Sequence, residues 1–197
     1  MRYWVLGLLF ATIVGAGSGW IGANRSVSGR ANFTESFSPA QGNWFFSDTV
    51  GSPASSALER ARVAVSGPLA LSSTETIYFL TMSDAQGRAL NSSCVYQVGG
   101  GEIDTRWWSI TIYDARSGEY IPNEDNRASW NSVAIPRDEN GQWQFTISSE
   151  RPSGLWLAAQ STPDEPFELL LRLYNPSGET RAAALELNLP VVERLSC

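Results

Sequence analysis

The sequence contains no histidine and only two cysteines, and these scarcities restrict the chemistry open to the protein. Histidine is the commonest general base and the commonest metal ligand, so its absence removes the usual Ser-His pair and most zinc sites. Cys94 and Cys197 alone cannot build a cysteine-rich zinc site. The chain also has no Gly-x-Ser-x-Gly motif and no phosphate-binding loop. We therefore expect no cofactor and no metal, assign no catalytic residue, and favour a non-catalytic role.

Positive charge is scarce as well. The chain has 14 Lys and Arg against 20 Asp and Glu, a formal net charge of −6 spread in small clusters. A nucleic-acid-binding protein would show a basic face, so we expect no nucleic-acid partner. The 197 residues suffice for one domain of ordinary size with a single core, plus an anchor.

Residues 3–24 form an uncharged apolar run. As a helix this run would be about 33 Å long, enough to cross a hydrocarbon core of about 30 Å. Trp4 and Trp20 lie near its two ends, where interfacial aromatic residues occur. The alternative is a cleaved signal peptide, with Val14 and Ala16 as the small residues before the cut. We expect a transmembrane anchor, a signal-anchor covering residues 1–24.

The charges around this run do not fix its orientation, because Arg2 lies on one side and Arg25 and Arg30 on the other. A very short N-terminal tail with an adjacent Arg usually stays cytoplasmic. We therefore expect a single-pass protein of a bacterial envelope, with its domain on the periplasmic side of the inner membrane. Small residues recur every fourth position at Ala11, Gly15, Gly19 and Ala23. This stripe suits packing against a partner helix, but small residues are also common in such helices.

The rest of the chain divides into a tether over residues 25–51 and a domain over residues 52–197. The tether is rich in Ser, Gly and Asn and ends with an aromatic patch that we expect to dock on the domain. Ser52 to Gly67 predicts one short helix, with Ser52 as cap and Gly67 at its end. Leu58, Ala61 and Val65 share one face, which we expect to pack on the domain.

Short strands dominate the domain, and the clearest runs from Arg106 to Asp114. Trp108, Ile110 and Ile112 fall on one side of it, and aromatic and hydroxyl side chains alternate on the other. Further strands are expected at 77–82, 95–98, 143–148, 167–174 and 185–189, with turns rich in Gly and Asn between them. This pattern predicts a mainly β, antiparallel sandwich or barrel.

Several segments occur in an order that resembles a known bacterial family. They are Arg60-Ala61, Glu75 to Tyr78, Asp84, Gly87 to Leu90, Arg106 to Asp114, Asn123, Asn126-Arg127, Trp156-Leu157 and Phe167 to Pro176. Over roughly Trp44 to Arg194 the chain resembles the family catalogued as domain of unknown function 1214. The resemblance implies a jelly-roll-like β-sandwich and brings no established reaction. Larger members carry a companion domain, domain of unknown function 1254. We expect here a short membrane-anchored member without it, which works beside a companion-domain membrane protein.

Carboxylates occur in four close pairs. They are Glu102 with Asp104, Glu124 with Asp125, Asp138 with Glu139, and Asp164 with Glu165. Two such groups could act as acid and base on a glycosidic bond, or hold a calcium ion with loop carbonyls. Because the spacing of a calcium loop is absent, we interpret them first as solvated turns.

Six residues are candidates for binding, because they carry aromatic rings or cations on or near strands: Arg106, Trp107, Tyr113, Arg127, Trp130 and Arg172. Aromatic residues could form a platform for sugar rings, although core packing is the expected fate of most of them. Trp130 is the one we expect to be exposed. Arg106 and Arg172 lie beside or inside strands, where a buried Arg needs a carboxylate partner.

Two functions of different classes remain open. The first is a non-catalytic, membrane-anchored envelope domain that acts with a protein partner, and the second is a domain that binds or cleaves glycans. Exposed coplanar Trp rings beside a carboxylate pair in one cleft would favour the second. Cys94 and Cys197 could form a disulfide outside the cytoplasm. In the alternative, Cys94 is a small buried hydrophobe and Cys197 a free chain end.

Overall fold

Two β-sheets make up the domain, and the computed structural model describes residues 2–27, 33–66 and 70–197 of the chain. Ten strands are described: β1 (Ser38–Pro39), β2 (Phe45–Ser47), β3 (Thr76–Thr81), β4 (Val95–Gly100), β5 (Thr105–Asp114), β6 (Ser129–Asn131), β7 (Trp143–Ser148), β8 (Trp156–Ala158), β9 (Phe167–Pro176) and β10 (Val191–Ser196). Three α-helices lie wholly within the described residues: α1 (Arg2–Val27), α2 (Ala57–Ser66) and α3 (Gly178–Ala182). The mainly β fold is confirmed.

The larger sheet has the order β1-β2-β3-β9-β5-β6, and the smaller has the order β10-β4-β7-β8. All neighbours in the larger sheet are antiparallel. In the smaller sheet β7 and β8 run parallel, so the expectation of a purely antiparallel fold is wrong at this one pair. The chain can make this parallel pair because seven residues separate β7 from β8, which lets it loop back before it runs in the same direction.

The main hydrophobic core lies between the two sheets. Trp108, Ile110 and Ile112 of β5 enter it, as their alternation predicts, and each is essentially inaccessible to solvent. Leu171 of β9 lies beside Ile110, and Phe145 of β7 enters the same cluster from the smaller sheet. The apolar face of β5 therefore holds the two sheets together.

A second, smaller core covers the outer face of the larger sheet. Val63 of α2 packs there with Tyr78, Leu80 and Leu170 of the sheet. Phe33 and Phe37 belong to this cluster, and Trp44 belongs to the main core, so much of the segment expected to be a tether contacts the domain. The central strands β3 and β9 are consequently covered on both faces.

Helix α2 differs from its prediction in extent and in orientation. It begins at Ala57 rather than at Ser52, because the Ser56 hydroxyl accepts a hydrogen bond from the Glu59 N–H (3.1 Å) and caps it. The buried face carries Val63, whereas Leu58 and Val65 are exposed, so the expected packing face is wrong. The predicted end at Gly67 lies outside the described residues.

The C-terminal strand also differs from its prediction. Residues 185–189 alternate in leucine but form no strand; Ala184–Glu186 is a short 3-10 helix, and the last strand is β10. β10 pairs with β4, which places Cys197 beside Cys94. The two cysteines are disulfide-bonded in this structure, with their Cα atoms 3.9 Å apart.

A buried ion pair fastens the turn after β3 to β10. The Asp84 carboxylate is inaccessible to solvent and lies 2.8 Å from Nε of both Arg88 and Arg194. Backbone N–H groups of Gln86 and Arg88 donate to its other oxygen at 3.0 and 2.9 Å. Burial opposes ionisation, but these hydrogen bonds and the charge of Arg194 outweigh it and lower the pKa of Asp84. The turn and the last strand therefore form one unit.

Candidate functional site

Three of the six candidate binding residues meet on the outer face of the larger sheet. Trp107 and Tyr113 lie on β5, and Arg172 lies opposite Ser109 on the adjacent strand β9. Residues that face each other across an antiparallel pair share a face of the sheet, as do alternate residues along one strand. Strand register thus brings together side chains that are about sixty positions apart in the sequence.

Arg172 occupies the centre of this group. Its guanidinium donates to the Thr111 hydroxyl (3.2 Å) and to the Tyr113 hydroxyl (2.8 Å), and it lies 5.6 Å from the centre of the Tyr113 ring. We expected a carboxylate partner, but the described hydrogen bonds of Arg172 go to these hydroxyl oxygens. The half-buried guanidinium therefore contributes a positive charge and N–H donors to this face.

Tyr120 extends the group toward solvent. Its ring stacks on Tyr113, with the ring centres 5.2 Å apart, and it is 63% exposed. A hydrogen bond with Tyr113 is the main cause that raises the pKa of Tyr120. Sequence reasoning missed Tyr120, although Gly118 gave a signal: its positive φ turns the chain back so that Tyr120 pairs with Tyr113.

A depression of about 420 Å³ lies beside the Asp84 turn, away from the Arg172 group. A second depression, of about 370 Å³, adjoins the Arg172 group. Thr111, Tyr120, Asn123 and Ser129 are among the residues that line the second. The Asn123 side chain is engaged in its own loop, because its amide donates to two backbone carbonyls and accepts from the Arg127 N–H. Hydroxyl groups and an aromatic edge remain to contact a polar ligand.

The Arg172 group offers several kinds of binding contact. A guanidinium has N–H donors and no acceptor, so Arg172 donates to the Thr111 and Tyr113 hydroxyls. Trp107 lies half-buried on the same face and packs edge-on against Tyr174, with the ring centres 4.8 Å apart. The face therefore offers a cation, hydroxyls and aromatic surface.

The other three candidates do not join this group. Arg106 is exposed and lies on the alternate side of β5. The Arg127 guanidinium lies 4.1 Å from the centre of the Trp130 ring. Trp130 itself is only 7% exposed, so the expectation that it is exposed is wrong. The reason is its pairing with Ile110, which directs both side chains into the core between the sheets.

Most other tryptophans of the domain are buried too. Trp143 and Trp156 are 3% and 9% exposed, and the described domain presents no row of exposed coplanar Trp rings. The sugar platform considered from the sequence is therefore not assembled by these residues.

One carboxylate of each of the first three pairs is engaged by hydrogen bonds within the domain. Asp104 accepts from the Ser177 and Thr180 hydroxyls (3.1 Å each) at the start of α3. Asp125 accepts two hydrogen bonds from Arg151 (2.9 and 2.8 Å), and Asp138 accepts from two backbone N–H groups of its own turn (2.8 Å each). Among the described residues, no group of three or more Asp, Glu or Cys could hold a metal ion.

The Asp164–Glu165 pair behaves in the same way. Asp164 accepts from the Ser93 hydroxyl (2.9 Å), and Glu165 forms an ion pair with Arg116. These contacts link the acidic pairs to other parts of the domain, which differs from the expected solvated turns. They also give little support to a glycosidase pair, whose two carboxyl groups must face one cleft.

Residues 75–178 match the family model described as "Protein of unknown function (DUF1214)". The chain is similar to the crystal structure of the VPA0106 protein from Vibrio parahaemolyticus, with a TM-score of 0.56 and 20% identity over 72% of this chain and 36% of that chain. It is also similar to the structure of an uncharacterized protein from Burkholderia cenocepacia, with a TM-score of 0.40 and 16% identity over 61% of this chain and 29% of that chain. No curated protein matches the chain.

The chain thus spans about a third of the length of these two proteins. At 20% identity the likeness to the Vibrio protein shows a shared fold and nothing about activity.

Proposed function

We propose that this chain, which belongs to the family described as "Protein of unknown function (DUF1214)", is a membrane-anchored envelope domain that acts with a protein partner and has no catalytic role. The family match confirms the resemblance seen in the sequence. The observation that carries this proposal is the helix α1. Residues 3–27 are long and apolar enough to cross a membrane, and none of the most apolar part is buried in the domain. Apolar surface on this scale needs lipid or protein around it.

A cleaved signal sequence would have the same length and composition, so the junction with the domain distinguishes the two. The Nε of Arg62 on α2 donates to the Ser26 carbonyl in the last turn of α1 (3.0 Å). Arg62 also forms an ion pair with Glu35 (2.9 Å). A helix whose last turn is hydrogen-bonded to the domain supports an uncleaved anchor over residues 1–24.

The periplasmic side is part of the proposal. The pair Cys94 and Cys197 is the observation that supports it. A bond between Cys94 and Cys197 would persist in an oxidising compartment and would be reduced in the cytoplasm. This bond supports a domain outside the cytoplasm. We propose that the chain is divided into an anchor, a tether (residues 25–51) and a domain (residues 52–197).

A jelly-roll-like arrangement is also proposed. From β3 onward the chain passes repeatedly between the sheets: β3 lies in the larger sheet, β4 in the smaller and β5 in the larger again. Strands β7, β9 and β10 continue this exchange. Crossing between two packed sheets in this way is typical of jelly rolls.

A partner is proposed from the family and from the site. The Arg172 face supplies N–H donors, hydroxyl groups and aromatic surface, all of which can bind a partner. The match covers 36% of the similar Vibrio protein, so most of that protein lies outside the shared fold. We propose that a companion-domain protein of the membrane fills that place for this chain.

Glycan binding, the alternative function, has less support. The Trp107, Tyr113 and Arg172 side chains do share one face with Tyr120, and this face could contact a sugar ring. Exposed coplanar Trp rings beside a carboxylate pair, which would favour this alternative, are not found in the described residues.

Chemical crosslinking followed by affinity capture from native membranes tests the partner. We expect a companion-domain protein to be captured with the full-length chain. Gly15 and Gly19 lie on the small-residue stripe of α1, where an added side chain meets no atom of the chain itself. Gly15→Leu with Gly19→Leu should weaken capture if the partner packs on this stripe.

The matched control is Gly17→Leu, since Gly17 lies on the opposite side of α1 and is equally open. Capture that persists in both variants would place the contact elsewhere on the chain. Repeated capture of the chain alone from crosslinked membranes would contradict the proposed partner.

A further inference from the structure

Helix α2 has one buried face and one exposed face, and the exposed face is apolar. Val63 is buried against the outer face of the larger sheet. On the other side, Leu58 is 43% exposed and Val65 is 57% exposed. Ala57 and Ala64 are exposed beside them. An exposed helix face normally carries polar side chains, so this reversal needs an explanation.

The position of α2 explains this exposed apolar face. Arg62 on α2 reaches the carbonyl of Ser26 at 3.0 Å, and Ser26 lies within the candidate membrane span. An Arg side chain is short compared with the thickness of a bilayer, so α2 must lie next to the end of the span. If α1 crosses the membrane, this end is at the lipid–water interface and α2 is at the same level.

We propose that α2 lies on the lipid surface, with the face formed by Leu58, Ala61 and Val65 in contact with the outer part of the bilayer. This inference rests on the proposed anchor.

Ten residues would bind lipid weakly as a free peptide. The covalent connection through α1 changes this, because it holds α2 at a high effective concentration beside the membrane. A small apolar face is therefore sufficient, and the domain would be held in one orientation with its smaller sheet directed away from the lipid. A second protein is the competing occupant of the exposed face, and the hydrogen bond from Arg62 to the end of the span favours lipid instead.

The test is a fluorescent label on Val65→Cys in the full-length protein, reconstituted in vesicles of phosphatidylethanolamine and phosphatidylglycerol. The matched control is Val191→Cys, because Val191 is 58% exposed and lies on β10 of the smaller sheet. The described chain has no free cysteine, so the introduced residue takes the label. The label is nitrobenzoxadiazole, whose emission depends on its environment. A lipid with a nitroxide near the headgroup quenches this emission when the label lies at the same depth in the bilayer.

We expect blue-shifted emission at position 65 and about threefold stronger quenching than at position 191, because an interfacial helix buries its apolar face at the depth of the nitroxide. A label at position 65 that stays in water while the protein floats with the vesicles would overturn the inference and leave the anchor intact. The same label shielded only in native membranes would assign this face to a protein instead. Protein that separates from the vesicles on flotation would overturn both the inference and the anchor.

Discussion

Replacing Ile110 by Ala should lower the free energy of unfolding by about 2–5 kcal/mol, because this change leaves a cavity in the core between the sheets. Ile110 has no accessible surface and lies in the middle of β5. Its neighbours across the larger sheet are Leu171 on one side and Trp130 on the other, both buried. Backbone on both flanking strands holds this site open, so the cavity cannot close fully.

The measurement is denaturant unfolding of the full-length protein in detergent micelles, followed by Trp fluorescence. Val133→Ala is the control, because Val133 is 82% exposed and its truncation should change stability by less than about 0.5 kcal/mol. Equal stability of the Ile110→Ala and Val133→Ala proteins would show that the apolar face of β5 does not form the core.

Replacing Cys197 by Ser should lower the free energy of unfolding by an amount similar to that of Ile110→Ala. The bond to Cys94 closes a loop with a sequence separation of 103, for which the chain-entropy model gives about 4–5 kcal/mol and engineered cases usually give less. Cys197 is the better residue to change, because it is exposed whereas Cys94 is buried. The variant therefore removes the bond without leaving a cavity.

Denaturant unfolding with and without a reducing agent isolates the bond. The wild-type protein should lose stability on reduction and reach the level of Cys197→Ser, and the variant should not respond. The same free energy of unfolding for both proteins without reductant would contradict a bond in the native protein. Two free thiols, counted on unfolded protein from intact envelopes, would also count against the proposed side of the membrane.

Strands with a long alternating pattern could be predicted from the sequence. Residues 106–114 were expected as a strand, and β5 is Thr105–Asp114. The strand expected at 167–174 is β9, Phe167–Pro176. Both lie inside the larger sheet, where β-branched, aromatic and leucine side chains fill the inner face and part of the outer face. Local pattern is sufficient there because each strand is buried along most of its length.

Edge elements could not be predicted in the same way. Leu185, Leu187 and Leu189 alternate as in a strand, yet the segment adopts a 3-10 turn and then an extended connection. The actual edge strand β10 carries Glu193 and Arg194, and it is fixed by pairing with β4 and by the buried Asp84–Arg194 contact. Neither interaction can be read from the neighbouring sequence.

The candidate site was predicted in part for the same reason. Trp107 and Tyr113 are an even number of residues apart along β5, so the sequence already predicts that they lie on the same face. Arg172 joins them through strand register, which the sequence does not reveal. Trp130 was misplaced because its three-residue strand has too little pattern to indicate which face is buried.

The proposed anchor is tested most directly by the mass of the protein that remains in membranes after a carbonate wash. The account predicts a full-length chain that still contains residues 3–24, because α1 spans the bilayer and its last turn is hydrogen-bonded to α2. A mature chain beginning near Gly17, released into the soluble fraction, would contradict it.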